Sequence, residues 1–360
     1  MKKQVFTGIL LIFGCIAVLS AQVVGQIDYM EGRASLIRNG EEVKNIGIGT
    51  SIENLDQITT QSDGLISIAF NRDSGLTGNI QIVPKTTAII RQDNLSGGAS
   101  NEVQLMTGAV NLKVKRLAGV NSGAQVRTSS SVLGVRGTEF SAASFNGASI
   151  VACKEGEVFC TTTDSKANGL SSVPGVMVEI SNSGTLRAVD FPEGDFDTNW
   201  GEVYGKWQEF NIELFVSDSV GFINQLMPSW KRYSSEFTKD VAKLRSNSTM
   251  KKWITAAKTG ASIGTRADWA REKPSVTREL VSIRPNAVLT MIHFYRLQEV
   301  IPLIPKSEMN RKLSDGQTVQ AFVTQFNKDL KKMAEDMAFY NAAEKQYMLR
   351  NDGISPFADF

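Results

Sequence analysis

The stretch VRTSSSVLGVRGTEFSAAS, Val126 to Ser144, sets β-branched and aromatic residues around a Gly-Val-Arg-Gly-Thr core that an amphipathic helix would not choose. Taken as an extended strand, it points Val135 and Arg136 to opposite faces, while Gly134 and Gly137 let the backbone bulge or approach a neighbour. Arg136 then reaches a carboxylate or several backbone carbonyls with its fixed fork of donors, so it is expected to clamp adjacent turns.

The same alternation extends outward on both sides. LISIAF puts Ile66, Ile68 and Phe70 on one face, GNIQIV does so with Ile80 and Ile82, and AVNLKV with Val110, Leu112 and Val114. Turn residues separate the runs at Asn39-Gly40, Ser62-Asp63-Gly64, Ser96-Gly97-Gly98, Asn146-Gly147 and Ser183-Gly184. ASIVAC and EVFC are expected to close a hairpin across Glu155-Gly156, with Cys153 opposite Val158 and Cys160 diagonal to it. That geometry leaves a strained Cys153–Cys160 disulfide and two buried free thiols as the alternatives. Many short strands without helices between them argue for an antiparallel sandwich or roll over residues 22–190.

At DFPEGDFDTNW the regime changes, because Pro192 and Gly194 end the alternation and Asp197 or Thr198 can cap a helix. Val203, Trp207, Phe210 and Leu214 then form one helical stripe. Phe322, Phe326, Leu330, Met333, Met337 and Tyr340 form another, after a Ser314-Asp315 cap. Further helical pieces at 218–245, 248–258 and 286–304 are separated by Gly260, Gly264, Pro274 and Pro285. The expected fold class is therefore α+β by domain, with an all-β unit at 22–190 and a mostly α-helical region at 191–360.

Residues 1–21 carry a different signal. Lys2 and Lys3 precede the apolar run Val5 to Leu19, which ends in Leu19-Ser20-Ala21, so export with cleavage near Ala21 is expected. Periplasm or cell envelope follows as the location. An uncleaved anchor is the alternative by length, and lipidation at Cys15 would make the chain a lipoprotein.

In its order of motifs the strand half resembles the FecR domain family. Thr128 followed by Gly134, Val135, Arg136, Gly137, Thr138, Glu139 and Phe140 matches the family's specific block, and Glu155, Gly156 and Val158 match its closing segment. Ser129 stands where the family commonly has proline. The resemblance runs from about Gly25 to Cys160, and it implies the β-rich fold and an exported compartment. Founding members are membrane-tethered regulators that relay a signal from an outer-membrane siderophore receptor to a cytoplasmic sigma factor. Only Met1 to Gln4 precede the apolar run here, so the stand-alone exported form of the family is the closer expectation.

Among the residue types that carry chemistry, little converges. The 360-residue chain holds one histidine, His293, set amid Met291, Ile292 and Phe294, so no multi-His metal site is available and a packed helix histidine is expected. Gly260-Ala261-Ser262-Ile263-Gly264 spells Gly-x-Ser-x-Gly but follows a helical piece rather than the strand a nucleophile elbow needs, no Lys-Ser/Thr-terminated phosphate loop is present, and GIGT at 47–50 lacks a third glycine. Glu155 with Glu157, and Asp195 with Asp197, are the closest acid pairs, and a turn tip and a helix cap explain them. EGDFDTN lacks the terminal glutamate of a calcium loop. No catalytic residue, metal or cofactor is therefore expected.

With 39 basic and 37 acidic residues the net charge is +2, which exerts no bulk pull on nucleic acid. The region from Trp230 to Lys258 interleaves Lys231, Arg232, Tyr233, Lys239, Lys243, Arg245, Lys251, Lys252 and Trp253, a solvated face with its aromatics turned inward. The expected function is a non-catalytic envelope module that binds a protein or cell-wall polymer. Membrane contact is expected only through an uncleaved signal or a lipid on Cys15. A FecR-type regulator with a retained anchor is the alternative, and an envelope hydrolase built on the acid pairs is a third.

Overall fold

The computed structural model describes residues 22–95, 98–117, 122–135, 137–163 and 168–357. The export and lipidation signals at 1–21 and the expected clamp Arg136 lie outside the described residues.

Alternation produces strands whose apolar positions face inward: Ile66, Ile68, Ile80, Ile82, Val110, Leu112 and Val114 all join one buried cluster. That cluster fills the space between two layers. The first layer runs in the order β4 (Ser51–Glu53), β1 (Val23–Glu31), β6 (Leu65–Phe70), β7 (Leu76–Ile82), β9 (Gly98–Arg116), β12 (Thr138–Phe145), β13 (Ala148–Glu155), β16 (Val176–Ile180) and β17 (Leu186–Asp190). The second runs β3 (Glu41–Glu42), β2 (Ala34–Arg38), β5 (Asp56–Thr60), β8 (Thr87–Leu95), β9 again, β10 (Gly123–Arg127), β11 (Ser131–Val135), β14 (Val158–Thr162) and β15 (Gly169–Ser172). All pairings are antiparallel except β9 with β10.

One strand serves both layers because it bends. Residues 98–107 of β9 pair with β8 and residues 108–116 with β7 and β12. A register shift opposite Thr87 and Ala88 marks a bulge there, and Gly108 takes φ +86, a left-handed conformation open to glycine.

Five helices follow the last strand: α1 (Phe196–Ser217), α2 (Ser219–Ser246), α3 (Ser248–Thr259), α4 (Arg266–Val300) and α5 (Val319–Leu349). Asp195, rather than Asp197 or Thr198, caps α1, because its carboxylate accepts from the Thr198 N–H at 2.9 Å and lets Phe196 begin the helix against Phe191. Thr318, not Ser314-Asp315, caps α5, since Asp315 is drawn into an ion pair with Lys231. Pro274 and Pro285 were expected to separate helices, yet α4 runs through both. The buried series Val276, Leu280, Ile283, Ala287, Thr290, Phe294 and Leu297 crosses the second proline without losing step, and its burial outweighs the ~3 kcal/mol that an interior proline costs.

The helices are not an appendage. Ala109, Ala143, Ile150 and Ala152, on the outer face of the first layer, belong to the same apolar cluster as Trp207, Phe237, Trp253, Phe294 and Phe326. The strand half and the helices thus share this second core. At the far end of α5 the joint is ionic: Lys345 Nζ lies 2.7 Å from Glu53 and 3.5 Å from Asp56, and Arg91 contacts Glu344 at 2.7 Å.

A third joint is pH-sensitive. The Glu299 carboxylate of α4 accepts from the Asn146 N–H at 2.8 Å, in the turn between β12 and β13, with Arg296 and Tyr204 near it. The residue as a whole is half-buried, but burial of its carboxylate pushes it up to about 8 against an ordinary 4.5, and the Asn146 bond and Arg296 offset only part of this. Glu299 is therefore protonated in the folded chain at neutral pH. Its contribution is full below the unfolded value near 4.5 and is lost as pH rises through about 8. Thermal unfolding from pH 5 to pH 9 is expected to show a fall in melting temperature that Glu299→Gln flattens; parallel curves for the two chains would refute this.

Candidate functional site

The glycine-rich signature is a pair of corners at which the chain changes layer. Between β11 and β12 it passes from the second layer to the first at Gly137, which takes φ +60. Between β13 and β14 it passes back at Gly156, with φ +88. The corners touch: a Cβ on Gly156 would stand 2.8 Å from Thr138 Cγ2 and 3.0 Å from Gly137 O. So the hairpin expected from Cys153 to Val158 does not form. Cys153 pairs with Phe140, and Val158 pairs with Val135 and Ser172. The reason is burial, since Val135, Val158 and Cys160 fill the second layer's inner face while Cys153 and Phe140 fill the first's.

Cys153 and Cys160 are separate buried thiols. Burial pushes Cys153 up to about 11 and Cys160 up to about 12, so neither carries appreciable thiolate at neutral pH. Thr128 holds the turn before β11: its hydroxyl accepts from the N–H groups of Ser130 and Ser131 and meets Ser149 Oγ at 2.9 Å on β13. Gly134 is exposed on β11, and Thr138 is buried.

The remaining expected sites are accounted for by structure. His293 shares a hydrogen bond between Nδ1 and Leu289 O at 2.6 Å, and burial lowers its pKa. Glu155 and Glu157 are exposed at the corner, Asp195 is the helix cap, and Asp197 pairs with Lys154 at 3.2 Å. Among the described residues no cluster of three or more His, Cys, Asp or Glu is placed to hold a metal. In the basic region, Trp230 and Trp253 are buried in the core, and Lys231, Lys239, Arg245, Lys252 and Lys258 each face a carboxylate. That surface is a solvated, ion-paired face.

Sequence patterning passed over the feature that stands out, which is the outer face of the first layer. Cross-strand register places Ala109, Ala143 and Ile150 in one row, and the helices cover it. Two residues along each strand, the next row reads Ser67, Gln81, Asn111 and Ser141, and the row after it Asn79, Lys113 and Glu139. Apart from the buried Ser67, these polar rows line a cleft of about 290 Å³ whose far wall is Phe196 and Asp197 at the start of α1. Within it Asn79 Nδ2 donates to Ser67 Oγ at 3.1 Å, Asn111 Nδ2 to Gln81 Oε1 at 3.4 Å, and Ser141 Oγ to Asn111 Oδ1 at 2.8 Å. Glu139 is held from both sides, by Lys113 at 2.7 Å and Lys154 at 2.9 Å, and these ammonium groups keep its carboxyl below the usual range. Of the family-motif positions, Glu139 and Phe140 line the cleft. The polar positions of GNIQIV and AVNLKV are Asn79, Gln81, Asn111 and Lys113, a mixture that any half-solvated strand can carry, so no sequence signal marks the cleft.

A second, apolar groove of about 590 Å³ lies between α1 and the β16–β17 hairpin. It explains a failed expectation, because Phe210 and Leu214 are 63% and 46% exposed rather than buried with Trp207. The inward positions of α1 are Trp200, Trp207 and Phe215.

Residues 56–159 match the family model described as FecR protein. The chain carries a FecR domain. The matched segment spans β5 to the first two residues of β14, so it contains both corners and every strand of the polar cleft. Two crystal structures titled "putative anti-sigma factor", both from Parabacteroides distasonis, are similar to parts of the chain. One is 16% identical over 37% of this chain and 59% of that one, with a TM-score of 0.31. The other is 14% identical over 45% and 60%, with a TM-score of 0.24. The chain thus spans about three fifths of each. No curated protein matches it. Among the described residues no helix is long and apolar enough to cross a membrane.

Proposed function

We propose that this chain is a non-catalytic exported protein of the cell envelope, in which the FecR domain is a binding module and the helical layer braces it. The observation that supports this reading is the division of the first layer's outer face. Helices seal its alanine row, whereas the amide rows of the same strands are left as an open, half-buried cleft. The signal-like residues 1–21 support export to the periplasm or envelope, with a cell-wall polymer or an envelope protein as partner.

The family match favours a second reading, a FecR-type regulator, which needs a retained membrane anchor. Chemical crosslinking of intact cells, followed by purification and N-terminal sequencing, tests both. The binding module is expected as a mature chain starting near Gln22, recovered from the envelope fraction with a covalently joined partner or wall fragment. Recovery of an adduct-free chain overturns the module. A chain that retains residues 1–21 in the membrane favours the regulator.

A further inference from the structure

The amide cleft can be assigned a ligand class from its chemistry. Its charged members are balanced: two lysines, Lys113 and Lys154, face two carboxylates, Glu139 and Asp197, at 2.7 to 3.2 Å. A ligand of strong net charge would have to break one of these pairs to be held. The groups that remain are neutral and two-sided. Among the described residues Asn79 Oδ1 and Gln81 Nε2 have no protein partner, although the other ends of both amides are engaged. One is an acceptor and the other a donor, on adjacent rows of the same face. The hydroxyl of Ser141 and the fixed carboxamide of Asn111 extend the array across three strands. Phe196 closes one side with a half-buried ring, flanked by Phe191 at 5.1 Å and by the Lys154 ammonium 5.7 Å from its centroid, so it is the exposed remainder of the ring that meets the cleft. An aromatic wall opposite a floor of carboxamides suits a ligand with an apolar ring face and a periphery of hydroxyl and acetamido groups.

We propose that this cleft binds a neutral oligosaccharide bearing acetamido groups, the chemistry of a wall-glycan strand, with Gln81 and Asn79 bonding its polar edge and Phe196 its ring face. The assignment rests on the binding-module reading and gives that module its ligand. Sugar hydroxyls both donate and accept, so the free Asn79 oxygen and Gln81 nitrogen can be satisfied together by neighbouring groups on one ring. An extended peptide would be served less well, because the cleft floor is side chains of central strands and offers no free backbone edge.

The test is calorimetric titration of the whole chain with the β-1,4-linked tetramer of N-acetylglucosamine as probe, beside its non-acetylated glucose counterpart and a mixed peptide of similar mass. The acetylated tetramer is expected to bind, and the glucose tetramer more weakly. Gln81→Ala and Asn79→Ala should each weaken the tetramer by about tenfold, the loss of one or two neutral hydrogen bonds. Phe210→Ser, on the separate apolar groove, should leave binding unchanged, and circular dichroism melts establish that each variant is folded. If a variant does not fold, loss of tetramer binding on adding Phe196→Leu serves in its place. No heat with the acetylated tetramer, equal affinity for the peptide, or binding untouched by the cleft variants overturns the assignment. An envelope adduct that persists when the tetramer fails to bind leaves the module standing and removes only the glycan.

Discussion

Replacing Lys345 by methionine is expected to destabilise the folded chain by about 3 kcal/mol or more, the usual consequence of removing one member of a buried ion cluster. Lys345 is 3% exposed, and its ammonium lies between Glu53 Oε2 and Asp56 Oδ1. Arg38 holds the other oxygens, at 2.9 Å from Glu53 and 2.6 Å from Asp56, so two cations and two anions cancel inside the joint. Without Lys345 the cluster keeps two carboxylates and one cation, with Asp56 fully buried and the Glu53 and Arg38 side chains only 15% and 19% exposed. The variant also fills the space with apolar atoms, so a cavity cannot account for the loss. Equilibrium urea unfolding gives the number, and Lys331→Met, whose side chain is 90% exposed and 4.0 Å from Glu335, should change stability by less than about 0.5 kcal/mol. A Lys345→Met chain as stable as the Lys331 control would mean that α5 is held to β2 and β5 by packing alone.

Alanine at Gly108 should be comparably damaging, by about 2–5 kcal/mol, through two effects that add. Left-handed backbone costs a residue with a Cβ roughly 1–2 kcal/mol, and overpacking a filled site costs about 1–3 kcal/mol more. Here the new Cβ would stand 2.3 Å from Thr86 Oγ1 and 2.7 Å from Lys85 O. Thr86 cannot step aside cheaply, since its hydroxyl donates to Ala109 O and accepts from Ala109 N–H across the bend. Gly201→Ala is the matched control. That residue lies in α1 with open space around its Cβ position, and alanine there should stabilise by up to about 1 kcal/mol. Melting curves that shift in the same direction for both variants would show that Gly108 is not the hinge on which β9 serves two layers.

Much of the fold is legible in the order of residues alone. Alternation in LISIAF, GNIQIV and AVNLKV identifies the inward residues, and the Pro192–Gly194 break places the change from strands to helices. The motif from Gly134 to Phe140, with Glu155, Gly156 and Val158, identifies the FecR domain that the family model matches. Of the candidate site, only Glu139 and Phe140 belong to that motif, and the amides of Asn79, Gln81 and Asn111 look in the sequence like ordinary outward residues.

What an amino-acid pattern by itself determines here is which face of each element is apolar, because a period of two or of 3.6 residues is local geometry. What lies against that face is decided by partners far away in the chain. VACKEGEVFC has every local mark of a hairpin, but its two strands join different layers because Cys153 and Val158 find deeper burial against Phe140 and Val135. NAAEKQYM, 341–348, has the composition of a wet helix and is buried on all sides, since Arg91 meets Glu344 and Glu53 and Asp56 meet Lys345. Phe210 and Leu214 keep perfect helical spacing and remain exposed, because α1 leans on the sheet through Trp200, Trp207 and Phe215 and nothing among the described residues covers the other side. Only the packed molecule decides whether an apolar stripe is core or surface, and whether a row of amides on a sheet is covered or left open as a cleft.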